Sequence, residues 1–185
     1  MTWLRRQVGA GVEWLPYHLH PEYPPDGIPR AEMVARYGDH FSDGVRAMAL
    51  DAGLPFNPHP ERIPNTRAAL ELSEWARAQG GDAHERLHER LMDAVWLEGR
   101  DITGWEELAA CAADVGLDAP AGRAAVQRGD LAPAVDAWTH WAQARGIAAI
   151  PAFVFEERLL VSGAVPHEAL GRAAERVREI MAAEG

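Results

Sequence analysis

Gly146-Ile147-Ala148-Ala149-Ile150-Pro151-Ala152-Phe153-Val154-Phe155 is the stretch whose reading decides the fold. A helical pattern stops at Gly146, an apolar residue then meets a proline, and an aromatic, β-branched run follows. Leu159-Leu160-Val161-Ser162-Gly163-Ala164 comes next, after a turn at Glu156-Glu157-Arg158. The two runs read as an antiparallel hairpin leading into a final helix from about Pro166 to Ala183, with proline at its favoured first position. Pro151 has no N–H to give a sheet ladder, so it belongs at a strand start or a special bend. A cis Ile150–Pro151 bond is one reason to keep it there.

Working outward, the chain reads as predominantly helical from about Pro29 to Gly146. Ala31–Tyr37 and Ser42–Ala52 form two short helices, the second capped by Ser42 and stopped by Gly53. A proline-punctuated connection covers Leu54–Pro64. Asn65 caps a helix running to Gln79, where Gly80-Gly81 ends it. A further helix opens at Asp82 and runs to Glu98. Thr103-Gly104-Trp105-Glu106 has the form of a capping box for a helix ending at Gly116. Asp118–Gln127 and Ala132–Arg145 follow, with Val135, Trp138 and Trp141 at helical spacing. Upstream, Trp3–Val8 reads as the last turns of a helix stopped by Gly9. Val12-Glu13-Trp14-Leu15 alternates as a short strand does, and Pro16 to Gly27 is a proline-rich loop.

Composition narrows the function classes. The 185 residues, 48% hydrophobic, are enough for one domain with a real core. A formal charge of -10 disfavours nucleic acid or an anionic membrane as a partner. No apolar run approaches a membrane span, and no apolar region follows Arg5-Arg6 as a secretory signal requires. The single cysteine, Cys111, permits no intramolecular disulfide, which fits a reducing compartment, with the cytoplasm as expectation.

The order of elements, with Val12-Glu13-Trp14-Leu15-Pro16-Tyr17-His18-Leu19-His20-Pro21, Pro64-Asn65-Thr66, Trp96-Leu97-Glu98-Gly99-Arg100-Asp101-Ile102, Ile150-Pro151-Ala152-Phe153-Val154 and Val161-Ser162-Gly163-Ala164, resembles the DsbA-like thioredoxin-fold family. The branch it is most similar to holds FrnE-type oxidoreductases and 2-hydroxychromene-2-carboxylate isomerases. Ala149 stands where a glycine is usual, and Ala152 where threonine is common. The resemblance implies an α/β, thioredoxin-like fold with a large all-helical insertion. The core would comprise 1–28 and 146–185, and the insertion 29–145. It also implies a first strand and a Cys-x-x-Cys ahead of Met1, so roughly 20–30 residues, the size of one βα half-unit, are expected to be missing. Without that strand, Val12–Leu15 has no neighbour and the hairpin exposes an edge.

The same resemblance assigns functional residues. The backbone of Ile150, beside Pro151, would pair with an extended substrate or glutathione. Asn65 and Thr66 would place a helix N-terminus beside a carboxylate or thiolate, although Asn65 serves equally as a plain helix cap. The implied function is thiol–disulfide oxidoreduction without a redox motif in this chain. The alternatives are a glutathione-dependent isomerase or transferase, and a non-catalytic binding domain or gene fragment. Partners would be a thiol, a disulfide or glutathione as co-substrate, with no cofactor and no nucleic acid or membrane; a homodimer is compatible with this set.

Other motifs carry structural readings beside their chemical ones. His84-Glu85-Arg86-Leu87-His88 matches the zinc-protease string H-E-x-x-H, but no further ligand pattern follows, and core-edge histidines are expected. Cys111, in a small-residue helix face, reads as a buried inert thiol with no flanking cation to activate it. His18 and His20 read as structural or solvated. Trp75, Trp96, Trp138 and Trp141 read as core anchors.

Overall fold

A computed structural model describes residues 3–38, 40–55, 57 and 61–184, with no account of the side chains of Tyr37, His40, Phe41 and Ser42. The cap expected from Ser42 therefore lies outside the described side chains, and residues 56 and 58–60 of the 54–64 connection lie outside the description. The chain divides into two units, one of residues 1–15 with 138–185 and one of residues 16–137.

The second unit is built from helices α1 (Arg30–Tyr37), α2 (His40–Asp51), α3 (Arg67–Ala78), α4 (Ala83–Trp96), α5 (Trp105–Asp114) and α6 (Ala119–Arg128), and the start of α7 (Ala132–Ala144). Leu72 and Ala76 of α3, Leu87 and Ala94 of α4, and Leu108, Cys111 and Ala112 of α5 are fully buried together. These positions recur three, four or seven apart on each helix, so burial follows the apolar stripe visible in the sequence. Gly122 lets α6 approach α3. A Cβ there would stand 2.8 Å from Leu72 Cδ1 and 3.1 Å from the Trp75 ring, so any larger residue would have to displace those packed side chains.

Two-residue strands β1 (Ile28–Pro29) and β2 (Arg62–Ile63) pair antiparallel at the edge of this unit. Residue-level patterning did not anticipate them, because two residues carry no periodicity. Gly27 is required there: it sits at φ +70°, and a Cβ would lie 2.3 Å from the Ile63 carbonyl oxygen. Arg62 ties the corner, its Nε donating to the Asp26 carbonyl at 2.9 Å and its NH2 to the Gly27 carbonyl at 3.0 Å.

The other unit holds the end of α7, the hairpin of β3 (Ala152–Phe155) and β4 (Leu159–Ser162), and α8 (His167–Glu184). The register pairs Phe153 with Val161 and Val154 with Leu160. Glu156 and Glu157 both take positive φ, 47° and 54°, and the Arg158 N–H returns to the Phe155 carbonyl at 2.9 Å. The strands are thus joined by a three-residue loop, Glu156 to Arg158, two of whose residues take left-handed φ without being glycine or asparagine. A π-helical turn at Leu4–Val8, closed by Gly9 at φ 68°, packs on α8. The Trp3 ring stacks on His167 at 4.9 Å, and Arg178 donates to the Val8 carbonyl.

Two expectations are corrected. Val12–Leu15 is not a strand. Its burial alternates with period two, but among the described residues no strand pairs with it, and alternation alone supplies no ladder. The capping box at Thr103 does not form. Helix α5 begins after Gly104, and the Thr103 N–H and hydroxyl both turn back to Asp101 Oδ1, at 2.9 and 2.5 Å. The formal cap of α3 is Thr66, which makes no side-chain cap bond, and Asn65 acts one residue earlier.

Candidate functional site

Two places gather the residues singled out by sequence, one in each unit. The first lies where α7 ends. The Ile147 N–H closes that end on the Ala142 carbonyl at 3.1 Å, and Ile147 itself is buried. Three residues later Ile150 is 56% exposed, and the Ile150–Pro151 peptide bond is cis. The Pro151 carbonyl accepts the Gly163 N–H at 2.8 Å, which pins the proline to the far end of β4. Among the described residues nothing hydrogen-bonds to the Ile150 main chain. An apolar side chain and an open amide therefore stand beside a fixed proline.

The second is an open groove of about 610 Å³ in the helical unit, walled by the 21–25 loop, the first turn of α3, Thr103 and Val126. Asn65 is its organiser. Asn65 Oδ1 accepts the Arg67 N–H at 2.9 Å, capping the helix through an Asx turn. Asn65 Nδ2 donates to the Tyr23 carbonyl at 2.8 Å. His18, buried, places its Nε2 3.1 Å from the same Oδ1. The structure thus joins two sequence candidates, His18 and Asn65, in one hydrogen-bonded cluster. His20 stays outside it, paired with Glu22 at 2.9 Å and stacked on the Tyr23 ring at 4.4 Å.

Arg67 was not singled out by sequence, although it follows Pro64-Asn65-Thr66 directly. Its guanidinium donates to Asp136, to the buried Glu71 at 2.5 Å and to the Ala132 carbonyl at 3.1 Å. The Asp136 hydrogen bond, and then Glu71, hold it more firmly protonated than usual. Its charge is spent inside the fold, so the groove offers hydrogen bonds more than net positive charge.

The remaining motifs resolve locally. His84 lies between Glu74 and Arg77 of α3, with Nε2 4.0 Å from Glu74 and 3.3 Å from the Arg77 guanidinium. His88 lies one turn on, its ring centroid 6.4 Å from that of His84. Burial, with His84 beside it, pushes the His88 pKa down to about 4. Among the described residues no three His, Cys, Asp or Glu side chains converge as metal ligands. Cys111 is fully buried, and burial pushes its thiol up. One expectation changes here: Arg100 and Arg90 do lie near enough to favour the thiolate, but desolvation outweighs them. Trp75 packs against the helical core, and Trp138 and Trp141 meet edge to face at 5.6 Å.

A family model described as DSBA-like thioredoxin domain matches residues 2–175. Among solved structures, the chain is similar to a probable DsbA oxidoreductase from Streptomyces coelicolor. That match has 26% identity and a TM-score of 0.81, over 92% of this chain and 76% of that one. It shares its fold with a 2-hydroxychromene-2-carboxylate isomerase at 19% identity and a TM-score of 0.73, over 100% of this chain and 89% of the other. No curated protein matches the sequence. Among the described residues no helix is long and apolar enough to cross a membrane.

Proposed function

Because this chain belongs to the DSBA-like thioredoxin domain family, we propose that it serves thiol–disulfide chemistry, engaging a thiol or disulfide ligand along the backbone of Ile150. The observation that carries this reading is the exposed Ile150, with no main-chain partner among the described residues, beside a Pro151 held by the Gly163 N–H. An open N–H and C=O at the start of a strand are what an extended peptide or glutathione backbone pairs with. Asn65 and Thr66, in the helical unit, are a separate candidate contact for the same class of ligand.

The attacking thiolate is not Cys111, whose burial keeps it a thiol away from solvent. In an oxidoreductase the mixed disulfide would form on a cysteine other than Cys111. In a glutathione-dependent isomerase or transferase the bound glutathione supplies its own thiolate. A non-catalytic binding domain is the third. A reducing cytoplasmic setting, with no nucleic acid or membrane partner, goes with all three, and so does a homodimer.

Titration of isotope-labelled protein with reduced and then oxidised glutathione tests the ligand reading. Shifts are expected at the Ile150 and Ala152 amides, weakened in Pro151→Ala; an unmoved hairpin mouth would refute it. Intact mass and N-terminal peptide of the protein from its native cells separate the chemistries. A product carrying Cys-x-x-Cys selects the oxidoreductase, and serine in its place selects glutathione-dependent chemistry. A product that begins at Met1 leaves the binding domain.

A further inference from the structure

The hydrogen bonds around Asn65 can be read one step further than their distances. A backbone N–H can only donate, so the Arg67 amide at 2.9 Å obliges the facing Asn65 atom to be oxygen. The other amide atom must then be nitrogen, which agrees with its 2.8 Å contact to the Tyr23 carbonyl, an obligate acceptor. With the oxygen assigned, His18 Nε2 at 3.1 Å from it has to carry a hydrogen. The imidazole is thereby set to the Nε2–H form by its surroundings.

The consequence concerns what Asn65 shows to the groove it lines. Both lone pairs of Oδ1 are taken, by Arg67 and His18. Nδ2 has two hydrogens, one goes to Tyr23, and among the described residues nothing accepts the other. A flipped amide would set its NH2 against the fixed Arg67 donor and lose the Tyr23 bond, so rotation is blocked at both ends. We infer that His18 is a positioning residue, completing through the second lone pair of Oδ1 the hold that Arg67 and Tyr23 begin, so that the remaining Asn65 N–H is held ready for an acceptor atom of a groove ligand. The assignment of Asn65 as a ligand contact rests on the thiol-ligand reading above; the lock itself rests on the three hydrogen bonds.

Nitrogen NMR of the His18 ring and the Asn65 side-chain amide tests this without any variant. The wild-type protein is expected to show His18 protonated at Nε2, and two well-separated Asn65 amide hydrogens. His18→Leu removes one donor to Oδ1 and should shift the Asn65 side-chain amide signals, while His18→Gln, which restores an N–H donor, should bring them back toward wild type. With reduced glutathione as probe, His18→Leu should bind several-fold to about tenfold more weakly and His18→Gln nearly as wild type, the effect of one hydrogen bond. An Nδ1–H form of His18 in the folded protein would overturn the inference. So would Asn65 amide signals that ignore His18→Leu. If His18→Leu does not fold, the wild-type tautomer and the His18→Gln amide pattern still decide. If both NMR signatures hold and glutathione moves nothing, the ligand reading falls and the positioning role stands.

Discussion

The α3–α6 layer and the β3–β4 hairpin are both apolar in sequence, yet they bury their residues in different ways. In the helical layer Leu72, Leu87, Leu108 and Cys111 are sealed completely. In the hairpin no residue of β3 is fully buried, and Leu160 of β4 is 38% exposed. Four helices can enclose a core from every side, whereas a two-stranded ladder has two faces and two edges, and α8 supplies one cover. The difference teaches where stability and recognition reside. The helical layer can hold its own structure, and the hairpin presents surface, including the open Ile150 backbone on which the proposed ligand contact depends.

The comparison breaks most easily at its stronger side. Leu87→Ala empties a fully buried position and should cost about 2–5 kcal/mol, read from urea unfolding at neutral pH. A loss under about 1 kcal/mol would mean that the helical layer is not the part that holds the fold.

A smaller effect comes from the α3–α4 seam, through His88. Its folded pKa, about 4, lies below the ordinary 6.5 because burial disfavours the cation. Between these values the unfolded chain binds the proton and the folded chain does not, so stability falls as pH drops from about 6.5 to about 4. Below that window both states are protonated and this group adds no further loss. Allowing for solvent screening of a partly exposed ring, the total is on the order of 2 kcal/mol. His88→Gln should flatten the acid limb of the stability profile; an unchanged slope would assign acid sensitivity to other groups.

The same contrast governs what could be read from residues alone. The helices were legible because glycines at 80, 116, 129 and 146 end them at positive φ, and their apolar stripes match the buried set. The hairpin was legible from its composition and from Pro151. Val12–Leu15 misled because a strand is a property of two chain segments, and only one can be seen in an alternating pattern. At Thr103 a local rival won: Asp101, two residues away, took the hydroxyl and the amide that a capping box would have used. The His18–Asn65 bond spans 47 residues, and nothing local signals it. Sequence named both residues for separate reasons, and only the folded loop makes them one cluster.

The weakest expected effect tests the comparison most sharply. Leu160 sits opposite Val154 in the ladder, on a strand whose residues alternate between half-buried and exposed. Leu160→Ser removes one cross-strand apolar contact and little else, so the loss should stay under about 1 kcal/mol and be independent of protein concentration. A loss as large as that of Leu87→Ala would require Leu160 to be covered in solution. If that loss also shrank as the protein was diluted, the cover would be a second copy of the chain, since only association links stability to concentration. The hairpin would then belong to a core shared between two molecules, and the contrast between a sealed helical layer and an open hairpin would describe the single chain alone.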